Sequence, residues 1–349
     1  TELRRRDRML LSKDATIREI HHRVKNNLQT ISSLLRLQAR RLESPEAKAA
    51  VQESVRRIRT IALVHERRYI QFLSTLWERW KRLPDAAETP SANVFALGRP
   101  SLPPTHYPDS VVGQCGWHLG DGSAPITSKT WAAARASAAT AAHGARLVLQ
   151  GERIAYALCR PPGHHAAADV AAGFCYFNNS ALAAALFAQA GKRTAILDID
   201  VHHGNGTEAI FYDRADVLTV SLHAHPKRFY PFFWGYEEET GRGRGEGFNL
   251  NLPLERGTSL KPYCAALDTA LDRIARFAPD VLVLATGLDI AIDDPFQGFA
   301  IATADFEQIG RQIAGLGLPT LAVQEGGYPN GSCSHPQAER VGRGHRLTR

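Results

Sequence analysis

The chain of 349 residues is 44% hydrophobic and 22% charged and carries a formal net charge of +7, enough apolar material for a substantial core. No apolar run approaches the ~20 residues of a membrane span. Cys115, Cys159, Cys175, Cys264 and Cys333 fall at irregular spacing, which makes neither a disulfide framework nor a zinc knuckle. A soluble, cytoplasmic protein with reduced thiols is expected.

Charge is uneven. Residues 1–68 hold 17 Lys plus Arg against 8 Asp plus Glu, net +9, whereas residues 69–349 hold 25 against 27, net −2. No aromatic interleaving or groove-reading motif accompanies the basic start, so nucleic acid is not an expected partner. Within that start Leu28, Ile31, Leu34, Leu35 and Leu42 recur at helical spacing, and Pro45, suited to the first turn of a helix, precedes a second helical stretch over residues 46–65. The pattern predicts an α-helical hairpin. Residues 81–110, rich in Pro, Ser and Ala and weakly periodic, predict an irregular excursion.

Further along, apolar runs alternate with helical patterns. Helices are predicted over residues 131–149, 179–190, 263–277 and 304–315. Residues 193–198, 217–222, 281–285 and 318–323 are too continuously apolar for a half-exposed sheet and read as buried strands. This alternation implies an α/β fold, a parallel sheet covered by helices on both faces. Ligands of such sheets bind beyond the carboxyl ends of the strands.

The chemistry-bearing residues gather at those ends. Asp200 and His202 lie two residues apart where the 193–198 strand closes, so extended backbone turns both to one face. Asp289 follows the 281–285 strand. Two carboxylates and one imidazole match a catalytic zinc site, which takes three protein ligands and leaves a position open for water; these borderline-hard donors also suit Fe2+ or Co2+. His164 and His165, in tandem in a Pro- and Gly-rich turn, are candidate bases. Tyr328 follows two glycines, which favours an exposed turn.

Taken together these motifs resemble the histone deacetylase superfamily, and within it the bacterial acetylpolyamine amidohydrolases. The similar runs are CRPPGHHA at 159–166, GFCYFNN at 173–179, DIDVHHGNG at 198–206, FYPFFWGYEEETG at 229–241, GLD at 287–289 and QEGGY at 324–328, in family order within residues 69–328. The resemblance implies the arginase/deacetylase fold and hydrolysis of N-acetylated amines, acetylpolyamines or acyl-lysine, by zinc-activated water. It implies that His165 is the general base and acid, that Asp198 holds His164, that Asn205 partners the second histidine through a neutral amide, and that Tyr328 donates to the oxyanion. Gly173 and Phe174 would line the substrate tunnel and Asp121 would stand at its rim. A structural K+ or Na+ would be held by Asp198, Asp200, His202, Ser221 and Leu222. Residues 236–239 (YEEE) would set acidic side chains near the tunnel mouth, which suits a polycationic amine. In similar amidohydrolases an insertion near residues 81–110 helps to form a homodimer. Arginase-type two-manganese chemistry is disfavoured, because Gly204 and Ala291 stand where it needs aspartates.

Residues 19–29 (EIHHRVKNNLQ) and the helical stretch after them resemble the phosphoacceptor helix of a sensor histidine kinase. That resemblance implies His22 as phosphoacceptor, and an alternative reading in which the chain is a dimerising interaction module with an inactive amidohydrolase remnant. No ATP-binding boxes follow, so a partner kinase would be needed. Residues 64–73 (VHERRYIQFL) are similar to both families. This implies a hairpin over residues 1–68 in place of the front strand of an amidohydrolase domain of residues 69–328. The basic tail of residues 329–349 lacks the helical periodicity of the family's closing helix.

Overall fold

The computed structural model describes residues 59–96 and 106–328. The chain divides into two compact units, Thr1–Ala62 and Leu63–Arg349, and the second carries all that follows. The predicted hairpin through residue 58, His22 with it, and the tail of residues 329–349 lie outside the described residues.

Among the described residues eight strands are formed, in chain order: β1 (Ile154–Ala157), β2 (Thr194–Asp198), β3 (Val217–Ala224), β4 (Asn249–Leu254), β5 (Thr258–Ser259), β6 (Val281–Thr286), β7 (Phe299–Ala300) and β8 (Thr320–Gln324). Six make one sheet in the order β1-β8-β6-β2-β3-β4, while β5 and β7 pair by themselves. Every pairing is parallel, as expected for strands with no polar alternation.

The helices are α1 (Arg67–Trp80), α2 (Val111–His118), α3 (Thr130–Leu149), α4 (Asn179–Gln189), α5 (Asn205–Phe211), α6 (Leu260–Phe277) and α7 (Phe306–Ala314). In α6, Tyr263, Leu267, Ala270, Ile274 and Phe277 recur at i, i+4, i+7, i+11 and i+14 and form one buried stripe. The stripe packs with Ala195, Leu197, Leu218, Val220, Leu222 and Leu282, which share one face of the sheet. Each such side chain contributes about 1.5–3 kcal/mol when fully buried. On the opposite face α3 and α4 lie together against the strands, close enough that a Cβ at Gly144 would meet Leu321 Cδ1 at 2.6 Å. Among the described residues no helix is long and apolar enough to cross a membrane.

The four predicted strands are present as β2, β3, β6 and β8, and the four predicted helices as α3, α4, α6 and α7. Residues 81–96 and 106–110 form neither helix nor strand, as the composition suggested. Seven further α-helices and strands appear among the described residues: α1, α2, α5, β1, β4, β5 and β7.

Candidate metal centre and catalytic site

The site stands at the carboxyl ends of β2, β6 and β8. Beyond β2, Asp200 and His202 share a face, and Asp289 arrives three residues after β6. Among the described residues these three form a cluster whose ligand atoms all lie within 4.8 Å of one another. His202 Nδ1 is 3.1 Å from both Asp200 Oδ1 and Asp289 Oδ2. Both carboxylates are wholly buried, at 0% exposure.

Backbone amides fix them there. Asp200 accepts from His202 N at 2.9 Å through Oδ1 and from Gly326 N at 2.7 Å through Oδ2. Asp289 Oδ1 accepts from Val201 N at 3.0 Å. A Cβ on Gly326 would collide with both carboxylates, so glycine is the residue that allows β8's extension to pass beside them.

These residues fit a metal ion. Zinc with ligands at 2.0–2.2 Å places tetrahedral corners at about 3.3–3.5 Å from one another, near the 3.1 Å separations observed. Two buried carboxylates facing each other also call for a positive charge. Their electrostatics say the same: burial, then the neighbouring Asp200, push Asp289 up to about 7. For His202 burial opposes protonation, but hydrogen bonds to Asp200 and Asp289 outweigh it and raise the imidazole to about 9.

The tandem histidines lie alongside, with ring centroids 4.0 Å apart. His164 Nδ1 meets Asp198 Oδ2 at 2.9 Å, and its Nε2 is 3.8 Å from Asp200 Oδ1. Burial works against a charge on His164, yet Asp200 and Asp198 hold its pKa well above the ordinary value. His165 differs: its Nδ1 meets Asn205 Oδ1 at 2.8 Å. Burial, followed by the neighbouring His164 and His202, drives its pKa well below the ordinary value. The two rings of one buried pair are thus shifted in opposite directions by their neighbours. Asn178 supports the turn that carries them, capping α4 by accepting from Ala181 N at 2.9 Å and donating to Ala166 O at 3.0 Å.

Gly173 and Phe174 take left-handed φ angles of +52° and +66°. The first is required, since a Cβ there would run into the His165 ring; the second is a strained conformation for an aromatic residue. The Phe174 ring lies 5.9 Å from that of Tyr328. Asp121 accepts from Tyr230 Oη at 2.6 Å and Ser123 N at 2.8 Å. Tyr230 stands edge-on to His165, its centroid at 4.9 Å.

Asp198 and Ser221 are register partners on β2 and β3 and line one small cavity with Thr207, Glu208, Thr219 and Asn249. Leu222, next to Ser221, is fully buried. The acidic loop is less acidic outwardly than the sequence implied. Glu239 folds inward to accept from Gly235 N at 2.6 Å and Tyr236 N at 3.0 Å, whereas Glu237 and Glu238 remain exposed.

Sequence reasoning assigned no role to Tyr230, Phe296 or Asp294. Phe296 sets its ring 5.0 Å from His202 and 5.1 Å from Tyr328. The FYP run signalled Tyr230, but nothing local marked Asp294.

Known proteins resemble this chain in sequence and fold. The family model described as "Histone deacetylase domain" matches residues 19–341. The acetylpolyamine amidohydrolase of Burkholderia pseudomallei (strain 1710b) is 45% identical over 272 residues, 78% of each chain. That of Mycoplana ramosa is 42% identical over 272 residues, 78% of this chain and 79% of its own. The crystal structure of acetylpolyamine aminohydrolase from Burkholderia pseudomallei superposes with a TM-score of 0.73 over 78% of both chains, at 45% identity. A parallel sheet with a triad beyond its strand ends that could hold a metal ion, matched at this identity over most of its length, makes this chain a member of the histone deacetylase family of enzymes.

Proposed function

We propose that the protein is a zinc-dependent deacetylase that releases acetate from N-acetylated amines, with acetylpolyamines ranked above acyl-lysine. The observation that carries this reading is the convergence of Asp200, His202 and Asp289 beside the tandem histidines. Zinc held by those three residues would supply a Lewis acid for the amide carbonyl and acidify a water molecule; Fe2+ or Co2+ suits the same donors.

The remaining chemistry belongs to the chain. His165 donates its Nδ1 proton to Asn205 Oδ1, which leaves Nε2 to take a proton from the attacking water and pass it to the leaving amine. His164, paired with Asp198, keeps a fixed positive charge beside it. Tyr328 donates its hydroxyl hydrogen to the oxyanion that develops on the carbonyl. Phe174 and Tyr230 flank the alkyl chain. Asp121, bonded to Tyr230, contributes negative charge at the rim for a second ammonium group. Asp198 and Ser221, with Asp200, His202 and Leu222, would hold a structural K+ or Na+; of these, Asp198 and Ser221 line the small cavity described above. A homodimer completes the reading, and the names of the relatives from Burkholderia pseudomallei and Mycoplana ramosa support the choice of substrate.

The test pairs metal analysis with acetate release from acetylputrescine, acetylspermidine and an acetyl-lysine peptide. One zinc per chain and preferred turnover of the acetylpolyamines are expected. Folded, metal-replete protein that releases acetate from none of them overturns the reading.

A further inference from the structure

Asp294 is a buried carboxylate, 4% exposed, for which the chemistry above has no use. It lies five residues beyond Asp289, in the loop between β6 and β7, and among the described residues no Lys, Arg or His forms a direct ion pair with it, His202 acting on it only at longer range. Its oxygens accept from two backbone amides: Oδ1 from Phe296 N at 2.9 Å and Oδ2 from Tyr328 N at 3.0 Å. Burial raises its pKa, and the amides of Phe296 and Tyr328 oppose the rise. A buried carboxylate with no direct ion-pair partner costs stability unless its hydrogen bonds offset the burial.

Those bonds close a frame around Tyr328. In the turn that carries it, Glu325 N donates to Thr286 O at 2.9 Å and Gly326 N to Asp200 Oδ2 at 2.7 Å. Gly326 O accepts from Leu288 N at 3.1 Å and Gln324 Nε2 at 2.8 Å. Arg160 spans the carbonyls of Glu325 and Gly327, both at 2.8 Å. Only Asp294 holds Tyr328's own amide. Through Phe296 N the same carboxylate also sets the ring that stands 5.1 Å from Tyr328 and 5.0 Å from His202. Backbone and ring contact are thus fixed from one point.

We propose that Asp294 is a positioning residue that locks the Tyr328 backbone and the Phe296 ring together, so that the phenol is held in place for the substrate carbonyl before substrate arrives. The proposal rests on the deacetylase reading for its kinetic consequence but not for its structural one. A displacement of about 1 Å in a catalytic group can lower the rate by about 10²-fold, which bounds what loss of this anchor can do. Asn at 294 keeps one acceptor and turns an amide donor toward the second N–H, so it should fall between wild type and Ala.

The experiment is a double-mutant cycle on the full-length, zinc-loaded protein with Asp294→Ala, Asp294→Asn, Tyr328→Phe and the two combinations. Amide exchange at Tyr328 and Phe296 is followed in parallel. The expected result is a tenfold to hundredfold fall in kcat for Asp294→Ala, with KM within about threefold and Asp294→Asn intermediate. In the Tyr328→Phe background the same change should cost less than about threefold, because the group it positions is gone. Amide exchange should accelerate at Tyr328 and Phe296 in Asp294→Ala, and at one of the two in Asp294→Asn, while that of β2 stays unchanged.

An equal loss of kcat in both backgrounds overturns the proposal, since a merely structural role acts without Tyr328. Unchanged exchange at both the Tyr328 and the Phe296 amides in Asp294→Asn overturns it independently, even if Asp294→Ala fails to fold. If wild-type protein hydrolyses no acetylated amine, the deacetylase reading falls, and the exchange measurement still decides whether Asp294 anchors Tyr328.

Discussion

Strands β2 and β1 are both short and parallel to their neighbours, yet they occupy opposite extremes. All five residues of β2 are buried, it pairs with β3 on one side and β6 on the other, and it ends on Asp198 with Asp200 and His202 just beyond. β1 pairs with β8. Its Ala157 is 2% exposed on the face where α3 packs, whereas Ile154 and Tyr156, pointing the other way, are 74% and 51% exposed. The centre of the sheet buries carboxylates and its edge exposes aliphatic and aromatic carbon, the reverse of what burial energetics alone would arrange. Polar burial at the end of β2 is sustained because each carboxylate draws backbone amides from a different element, as Asp200 does from Gly326 and Asp289 from Val201. That arrangement makes single changes there expensive and single changes in β1 cheap.

The contrast breaks hardest at the metal cluster. Asp289→Asn removes one of two carboxylates that face His202 Nδ1, so zinc content should fall from one per chain to background. Turnover should drop by about 10³-fold or more, the equivalent of several kcal/mol of lost Lewis-acid stabilisation. Metal analysis and acetate release check both, and a variant that keeps zinc and rate would remove Asp289 from the ligand set. Next in size is Tyr328→Phe, which leaves the aromatic contacts to Phe296 and Phe174 in place and deletes only the donor. It should lower kcat by about 10²–10³-fold with metal content unchanged; a rate within threefold of wild type would exclude Tyr328 as the oxyanion donor.

How far this contrast can be read from sequence depends on the range of the interactions. β2, β3, β6 and β8 are legible because both their faces are buried, so their apolar runs are unbroken. β1 reads as Ile-Ala-Tyr-Ala and β4 as Asn-Leu-Asn-Leu-Pro-Leu, too short or too mixed to separate from loop. Asp200 and His202 are legible because their two-residue spacing is itself the geometry. His164 and His165 are legible as a pair, but their different partners, Asp198 and Asn205, lie 34 and 40 residues away. Arg160 reaches carbonyls 165 and 167 residues distant, and Tyr230 meets Asp121 across 109. Such partners share no local pattern, so they emerge only when the sheet brings the loops together.

A buried polar group away from the strand ends sharpens the comparison. His118, at the end of α2, has 0% exposure. Its Nδ1–H donates to Asp169 O at 2.6 Å and its Nε2 accepts from Tyr107 Oη at 2.9 Å, so the neutral ring is fully satisfied. Burial holds its pKa down at about 4, against about 6.5 in the unfolded chain. Between those values the unfolded state binds the extra proton. Stability is therefore full above pH 6.5 and is lost as pH falls, by about 3 kcal/mol in total once pH passes below 4. Denaturant unfolding at pH 7.5 and 5.0 should differ in this direction, and His118→Asn should remove up to one proton from the slope. An unchanged slope would show that His118 is not buried neutral.

The smallest effect is expected at β1, and it is the one that tests the other half of the contrast. Ile154 pairs in register with Thr320, and Tyr156 with Ala322; with Leu158, 70% exposed, they form an apolar strip along the outer face of an edge strand. Open edges of this kind invite pairing with other chains. Ile154→Lys alters no backbone hydrogen bond and vacates no packed volume, so its unfolding free energy should stay within about 0.5 kcal/mol of wild type. Because a lysine on an edge strand discourages edge-to-edge association, light scattering on heating should fall in the variant. A loss above about 2 kcal/mol would mean that Ile154 is packed in solution, for only burial of its side chain supplies an energy of that size. The edge would then be a covered surface like the centre, and the difference between β1 and β2 would lie in their chemistry alone.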